Sequence, residues 1–212
     1  LFNKLKKINI DVKDAFTEIK YDTKAITIPE KRKKLSNKEV LRILQQLEFM
    51  KNIDLTPYAD GEFSIEMEEY VENERIMVQG EEGDDLFIIA EGHCDLYETN
   101  SHGVFTKVRD LSGGQDEGFD FFGLQAFLLG EKRRITARAR TTSYILKIKR
   151  SDFFPILKQN KEAIFHLANL LQERKKENLS TFKSLEDAAN KQKISVTAIL
   201  IRKIEEIFSI RD

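Results

Sequence analysis

The chain has 212 residues, 41% of them hydrophobic and 33% charged, and a net charge of −1. That length suits one domain with attached helices, and the near-neutral charge supplies no basic field for nucleic acid or an acidic membrane surface. Cys94 is the only cysteine, which excludes an internal disulfide and fits a reducing compartment. No apolar run approaches the roughly 20 residues a membrane helix needs. No signal-peptide pattern opens the chain. It begins at Leu1 rather than methionine, as a fragment of a longer protein would.

Residues 1–35 read as a linker or the end of a preceding domain. Leu1, Phe2 and Leu5 among lysines suggest the end of a basic amphipathic helix, and Ile8, Ile10 and Val12 alternate as a short strand does. Ile26-Thr27-Ile28-Pro29 reads as extended chain, because Pro29 disfavours helix at Ile28. The run Lys31-Arg32-Lys33-Lys34 reads as a solvated linker. Ser36-Asn37-Lys38-Glu39 has the form of a capping box, and Val40, Leu41, Ile43, Leu44 and Leu47 follow at helical spacing. A helix is therefore expected over residues 37–49.

Strands are expected next. Phe63 to Met67 alternates apolar and polar residues, Ile76 and Val78 follow a turn at Glu72-Asn73-Glu74, and Leu86 to Ala90 is a continuous apolar run. Gly92 marks a turn before Cys94, Leu96 and Tyr97. Asn100-Ser101-His102-Gly103 reads as a hairpin loop leading to Val104, Phe105 and Val108. Ser112 to Gly118 reads as an acidic flexible loop, and Ser143 to Ile148 as the last strand. Short strands at about ten-residue spacing predict an antiparallel jelly-roll barrel with N- and C-terminal helices. Asp152 to Leu157 predicts a short helix with Pro155 near its first turn. Residues 160–192 predict a long helical tract, and 195–208 a further helix. The stripe Val196, Ile199, Leu200, Ile204, Ile207 and Phe208 on that last helix needs a covering surface.

The most informative stretch is Phe121 to Ala139. Gly123 permits a tight turn, and the helix start after it exposes N–H groups that favour an anion. Arg133 or Arg134 then supplies a permanent charge with fork geometry for phosphate oxygens. His93, His102 and His166 have no metal spacing with Cys94, and no nucleophile or acid–base pair stands out, so no metal and no enzyme activity are expected. The Phe121-Phe122 pair reads as core.

In residue order this stretch resembles the phosphate-binding cassette of the cyclic nucleotide-binding domain family. Phe122, Gly123, Ala126, Gly130, Arg133, Arg138 and Ala139 fall in register, and Glu72 to Ile76 and Gln79 to Gly92 look like the family's first strands. The resemblance covers about residues 36–175, leaving 176–212 as a C-terminal helical extension. It implies a regulatory domain whose ligand is cyclic AMP or cyclic GMP, held by Gly123, Leu124, Gln125, Ala126, Arg133, Arg134, Ile135 and Thr136. It also implies a helix after the barrel that covers the base, for which Phe165, Leu170, Leu171 and Arg174 are available.

Leu124 departs from the family pattern, which has a glutamate that receives the ribose hydroxyl. An unpaired buried hydroxyl costs about 1–3 kcal/mol, which is roughly 5- to 150-fold in affinity. The alternative expectation is therefore a domain without a nucleotide ligand that acts as an interaction module. Ile135 stands where the family has a smaller residue. A transcription factor of this family needs a further DNA-binding domain, and kinase regulatory subunits carry a second cassette; neither pattern is present in the sequence. Leu5 to Val12 and Ile201 to Phe208 resemble parts of bacterial small-conductance mechanosensitive channels that carry such a domain. The expected setting is thus the cytoplasmic sensor of an ion channel, self-associating through its C-terminal helices, with any membrane attachment upstream and no nucleic-acid partner.

Overall fold

The computed structural model describes residues 32–51, 53–58, 65–114, 118–174 and 179–210, which fall within one compact unit. The expectations for residues 1–31 lie outside these. Strand β1 (Arg32–Lys34) comes first, and its register places Arg32 opposite Glu68 and Lys34 opposite Glu66. The basic run read as a solvated linker therefore contributes an edge strand: the acidic, alternating strand β2 (Glu66–Tyr70) offers it an antiparallel partner.

Helix α1 spans Asn37–Gln46. Ser36 caps it, accepting from the Glu39 N–H while the Glu39 carboxylate accepts from the Ser36 N–H at 2.9 Å. The helix stops three residues short of the expected end. Leu47 is extended, and a 3-10 turn over Glu48–Met50 turns Phe49 and Met50 into the core.

The barrel is built around one long strand. After β3 (Arg75–Met77), β4 runs from Asp85 to Thr99 without a break, followed by β5 (Phe105–Gly114), β6 (Gly118–Phe119) and β7 (Phe121–Phe122). Helix α2 (Leu124–Leu129) separates these from β8 (Thr136–Ala139) and β9 (Ser143–Lys149). The first half of β4 pairs with β7 and β9, its second half with β5 and β8, and all pairings are antiparallel. The turn expected at Gly92 is a bend inside β4, where Gly92 adopts φ +100° next to an irregularity in the β4–β9 ladder. The loop expected over 112–118 is largely strand as well: Gly113 pairs with Phe119 and Gly114 with Gly118, while residues 115–117 lie outside those described. The antiparallel jelly-roll barrel with flanking helices is thus the observed fold.

Among the described residues four helices follow the barrel. They are α3 (Arg150–Gln159), α4 (Lys161–Glu173), α5 (Leu179–Gln192) and α6 (Val196–Ile207). Helix α3 starts directly from β9, so Pro155 sits inside it rather than in its first turn. The long tract expected over 160–192 is two helices, with Arg174 as the C-cap of the first.

The apolar residues form two clusters. Met77, Phe87, Ile89, Cys94, Leu96, Phe122 and Ala137 fill the barrel, and a larger cluster binds the helices to its outer face. The stripe expected to seek another surface belongs to the second cluster: Ile199, Leu200, Ile204 and Phe208 are buried within this chain. Phe208 packs edge-on to Phe127 of α2, with ring centroids 5.5 Å apart.

Candidate functional site

The residues after β7 turn sharply because Gly123 adopts φ +83°, in the left-handed region. A Cβ there would lie 2.8 Å from Arg133 Nη1 and 3.1 Å from the Asp85 carbonyl oxygen. Gly83 approaches the same guanidinium from the other side, where a Cβ would lie 2.7 Å from Arg133 Nη2. The two glycines thus form a slot that admits the arginine. Its Nη1 donates to the Gly123 carbonyl at 3.1 Å, and its guanidinium lies 5.3 Å from the centre of the Phe87 ring.

Arg133 is 4% exposed, and its carboxylate partner Asp85 stands 4.0 Å away, shared with Lys147 at 3.5 Å. Burial pulls the guanidinium below its ordinary pKa, and the charges of Asp85 and Asp84 oppose that shift. An arginine remains charged in any case. Its counter-ion thus stands at the outer edge of ion-pair distance.

Arg133 borders a cavity of about 60 Å³ at the seam between the two apolar clusters. Of the residues expected at the site, Gly123, Leu124, Gln125, Ala126, Arg133, Arg134 and Ile135 all line this cavity. Thr136 does not. It is buried, and its hydroxyl accepts from the Gln79 N–H at 3.1 Å. Leu124 is buried at the first position of α2, and the Gln125 amide donates to Glu131 at 2.6 Å. Among the possible covers, Leu171 and Arg174 line the cavity, whereas Phe165 is 48% exposed and takes no part in it. Arg174 lies over the Phe121 ring, 4.4 Å from its centre.

Arg109 is the charged lining residue that the sequence reading missed, along with the apolar Met77, Leu96 and Phe122. It sits on β5 opposite Leu96, which itself pairs with Ala137 on β8. Arg109 and Arg174 also line a second, larger groove of about 580 Å³ beside Phe49, Phe119, Phe121 and Leu170. Among the described residues no group of histidine, cysteine or carboxylate side chains is placed to hold a metal, and no helix is long and apolar enough to cross a membrane.

Residues 67–160 match the family model of the cyclic nucleotide-binding domain. Over this segment the chain is similar to that family. The match takes in the barrel from β2 onward, the cassette with Gly123 and Arg133, and helix α3. Among solved structures, the regulatory subunit of a cAMP-independent protein kinase A from Trypanosoma cruzi, bound to guanosine, is 23% identical over 73% of this chain and 52% of that one, with a TM-score of 0.54. The regulatory domain of Toxoplasma gondii PKA, solved with cAMP, is 19% identical over 67% and 50%, with a TM-score of 0.53. The sensor domain of the transcriptional regulator DNR from Pseudomonas aeruginosa is 14% identical over 68% and 93%, with a TM-score of 0.55. These likenesses show the fold. The chain spans about half the length of the kinase regulatory chains it matches. Domains of the cyclic nucleotide-binding family are typically non-catalytic regulatory modules.

Proposed function

We propose that this domain is a sensor that binds the phosphate of a cyclic nucleotide with Arg133 and passes the event to its C-terminal helices. The observation that carries this reading is the buried guanidinium of Arg133, slotted between two glycines at the edge of a cavity lined by the cassette. The guanidinium has five N–H donors, so Nη1 can keep its bond to Gly123 while others turn to an anion.

The cavity as it stands holds the volume of about two waters, far below the roughly 300 Å³ of a typical small-molecule site. A nucleotide therefore enters only if Arg109 and Arg174, which border both the cavity and the larger groove, move apart and join the two. The bound state is then a different arrangement of α4, and a ligand shifts that equilibrium by its differential affinity for the two arrangements. Titration calorimetry with cyclic AMP and cyclic GMP tests the reading; heats absent for both at millimolar ligand would reject it. The alternative, an interaction module without a nucleotide, is favoured by Leu124 at the helix start.

The setting in a bacterial ion channel rests on sequence resemblance at Leu5 to Val12 and at Ile201 to Phe208. Conductance of the full-length protein, recorded with and without nucleotide, tests it. Self-association through α6 loses its motive here, because the apolar stripe is covered within the chain; sedimentation of the chain checks the point.

A further inference from the structure

We propose that Arg75 and Arg138 form a second anion site, on the outer face of the barrel, for dianionic phosphate as a small monoester or the free ion. The site is separate from the cassette and does not depend on nucleotide binding at Arg133.

Strand register builds the pair. On β8, Ala137 and Ala139 are wholly buried and Ala137 belongs to the barrel cluster, so Arg138 between them faces outward. Its register partner on β3 is Arg75. That ladder is irregular between Arg75 and Met77. Ile76 and Met77 therefore both pack on the barrel cluster, and Arg75 is left exposed. Opposed residues in an antiparallel pair bring their Cβ atoms to about 4.5–5.5 Å, and like charges so placed repel.

The chain does not offset that repulsion. Among the described residues neither arginine has an ion pair, and Arg138 Nε is buried with no hydrogen-bond partner in the protein. Folded proteins seldom leave such a donor unpaired. The nearby carboxylates are engaged elsewhere. Asp95 on β4 is opposite Arg138, but it lies 3.2 Å from Lys107 Nζ and 3.7 Å from Arg140 Nη1 and accepts from the Tyr97 hydroxyl. Asp110, opposite Asp95 on β5, pairs with the same Lys107 and Arg140. Glu74, just before Arg75, accepts from the Val71 N–H. The row Arg75, Arg138, Asp95 and Asp110 thus crosses four strands. Its two carboxylates have two cations of their own, and two guanidiniums are left over.

That surplus defines the ligand. Two adjacent guanidiniums present forked donors to phosphate oxygens. Two positive charges match a phosphate monoester, which carries about −1.5 to −2 at neutral pH, better than a diester with its single charge. The patch is also small. Glu72 and Glu74 precede it in the chain, and Asp95 and Asp110 lie beyond it in the sheet. No continuous basic surface of the kind that holds a membrane or a nucleic acid surrounds it.

The test is heteronuclear NMR of the intact chain, titrated with inorganic phosphate, methyl phosphate and dimethyl phosphate. The pH is held above the second phosphate pKa, and chloride keeps the ionic strength constant. Inorganic phosphate should shift the amides of residues 74–77 and 137–140 saturably, with dimethyl phosphate weaker by about tenfold or more. Methyl phosphate acting there as well assigns a monoester; phosphate acting alone assigns the free ion. Arg75→Gln and Arg138→Gln should each weaken binding by about tenfold or more. Arg75 is exposed, so its variant decides if Arg138→Gln does not fold. No saturable shift at those amides would overturn the proposal, as would unchanged affinity in Arg75→Gln or equal binding of the dimethyl ester. Shifts confined to residues 121–136 would put the anion in the cassette and overturn it too, while leaving the reading of Arg133 in place.

Discussion

Arg133 and Cys94 show how burial acts on two different groups. Arg133 is buried with Asp85 4.0 Å away, and on the proposed reading a phosphate would add a second anion beside it. Arg133→Ala removes charge-assisted bonds worth about 1.5–3 kcal/mol each, which is roughly 10- to 150-fold in affinity per bond. Calorimetry on the variant should show binding weakened by at least that range, with circular dichroism unchanged; an unaltered affinity would move the role to Arg134. Cys94 is wholly buried in the barrel, and burial pushes its thiol up to about 11 from 9.0, with a smaller opposing hydrogen bond from Ser143. The folded state therefore holds its proton longer than the unfolded state. Stability is unaffected below about pH 9 and falls as pH rises from 9.0 toward about 11, by a total of roughly 2–3 kcal/mol. Denaturant melts across this window should show the decline in the wild type and a shallower one in Cys94→Ala, because Tyr58, also raised by burial, still titrates there. A melt of the wild type that holds level to pH 11 would contradict it.

Among the elements, the capping box of α1 and the glycine at the end of α2 have separable effects. Ser36→Ala removes the side-chain acceptor at the head of α1 and should cost about 1 kcal/mol in urea denaturation. Gly130, at φ +64°, is the C-cap of α2, and a Cβ there would lie 2.8 Å from Cδ1 of Ile207. Gly130→Ala should cost about 1–2 kcal/mol for the left-handed backbone alone. Elements of this kind were legible in the sequence because they are local: the box is four residues long, and the cassette places its glycine and arginine ten residues apart. Arg109 was not legible, because its place at the cavity depends on the β4–β5 register, which shifts between Leu96 and Tyr97. Equally hidden was the docking of α6 on α2. The stripe on α6 announced that it would be covered, but a periodic pattern carries no address for the covering surface.

At the scale of the molecule, the cassette helix is held from two directions. Its start faces the cavity, and its far end carries Phe208 and Ile207 of the C-terminal segment, with Arg150 bonded to its last carbonyls and lying 6.0 Å from the centre of the Phe208 ring. Nucleotide binding should therefore change hydrogen exchange in α4 and α6 as well as at residues 121–136. Protection confined to 121–136 would show a site with no output. Phe208→Ala, which empties a buried ring site, should cost about 3 kcal/mol in thermal or urea melts.

The division of β4 between two ladders bears on how the chain first assembles. Its second half meets β5 through a short connection, so that hairpin can close as soon as Gly114 has been made. Its first half has only later partners: β7 at Phe121 and Phe122, and β9, which ends at Lys149. During synthesis Leu86 to Ile89 meet β7 only after roughly thirty more residues, and their β9 edge stays open until about sixty more have left the ribosome. At the 5–20 residues per second of translation, that is an interval of roughly 3–12 seconds. Nascent chains stalled before Lys149 should therefore aggregate more readily than the complete chain, which sedimentation of stalled and released chains would check.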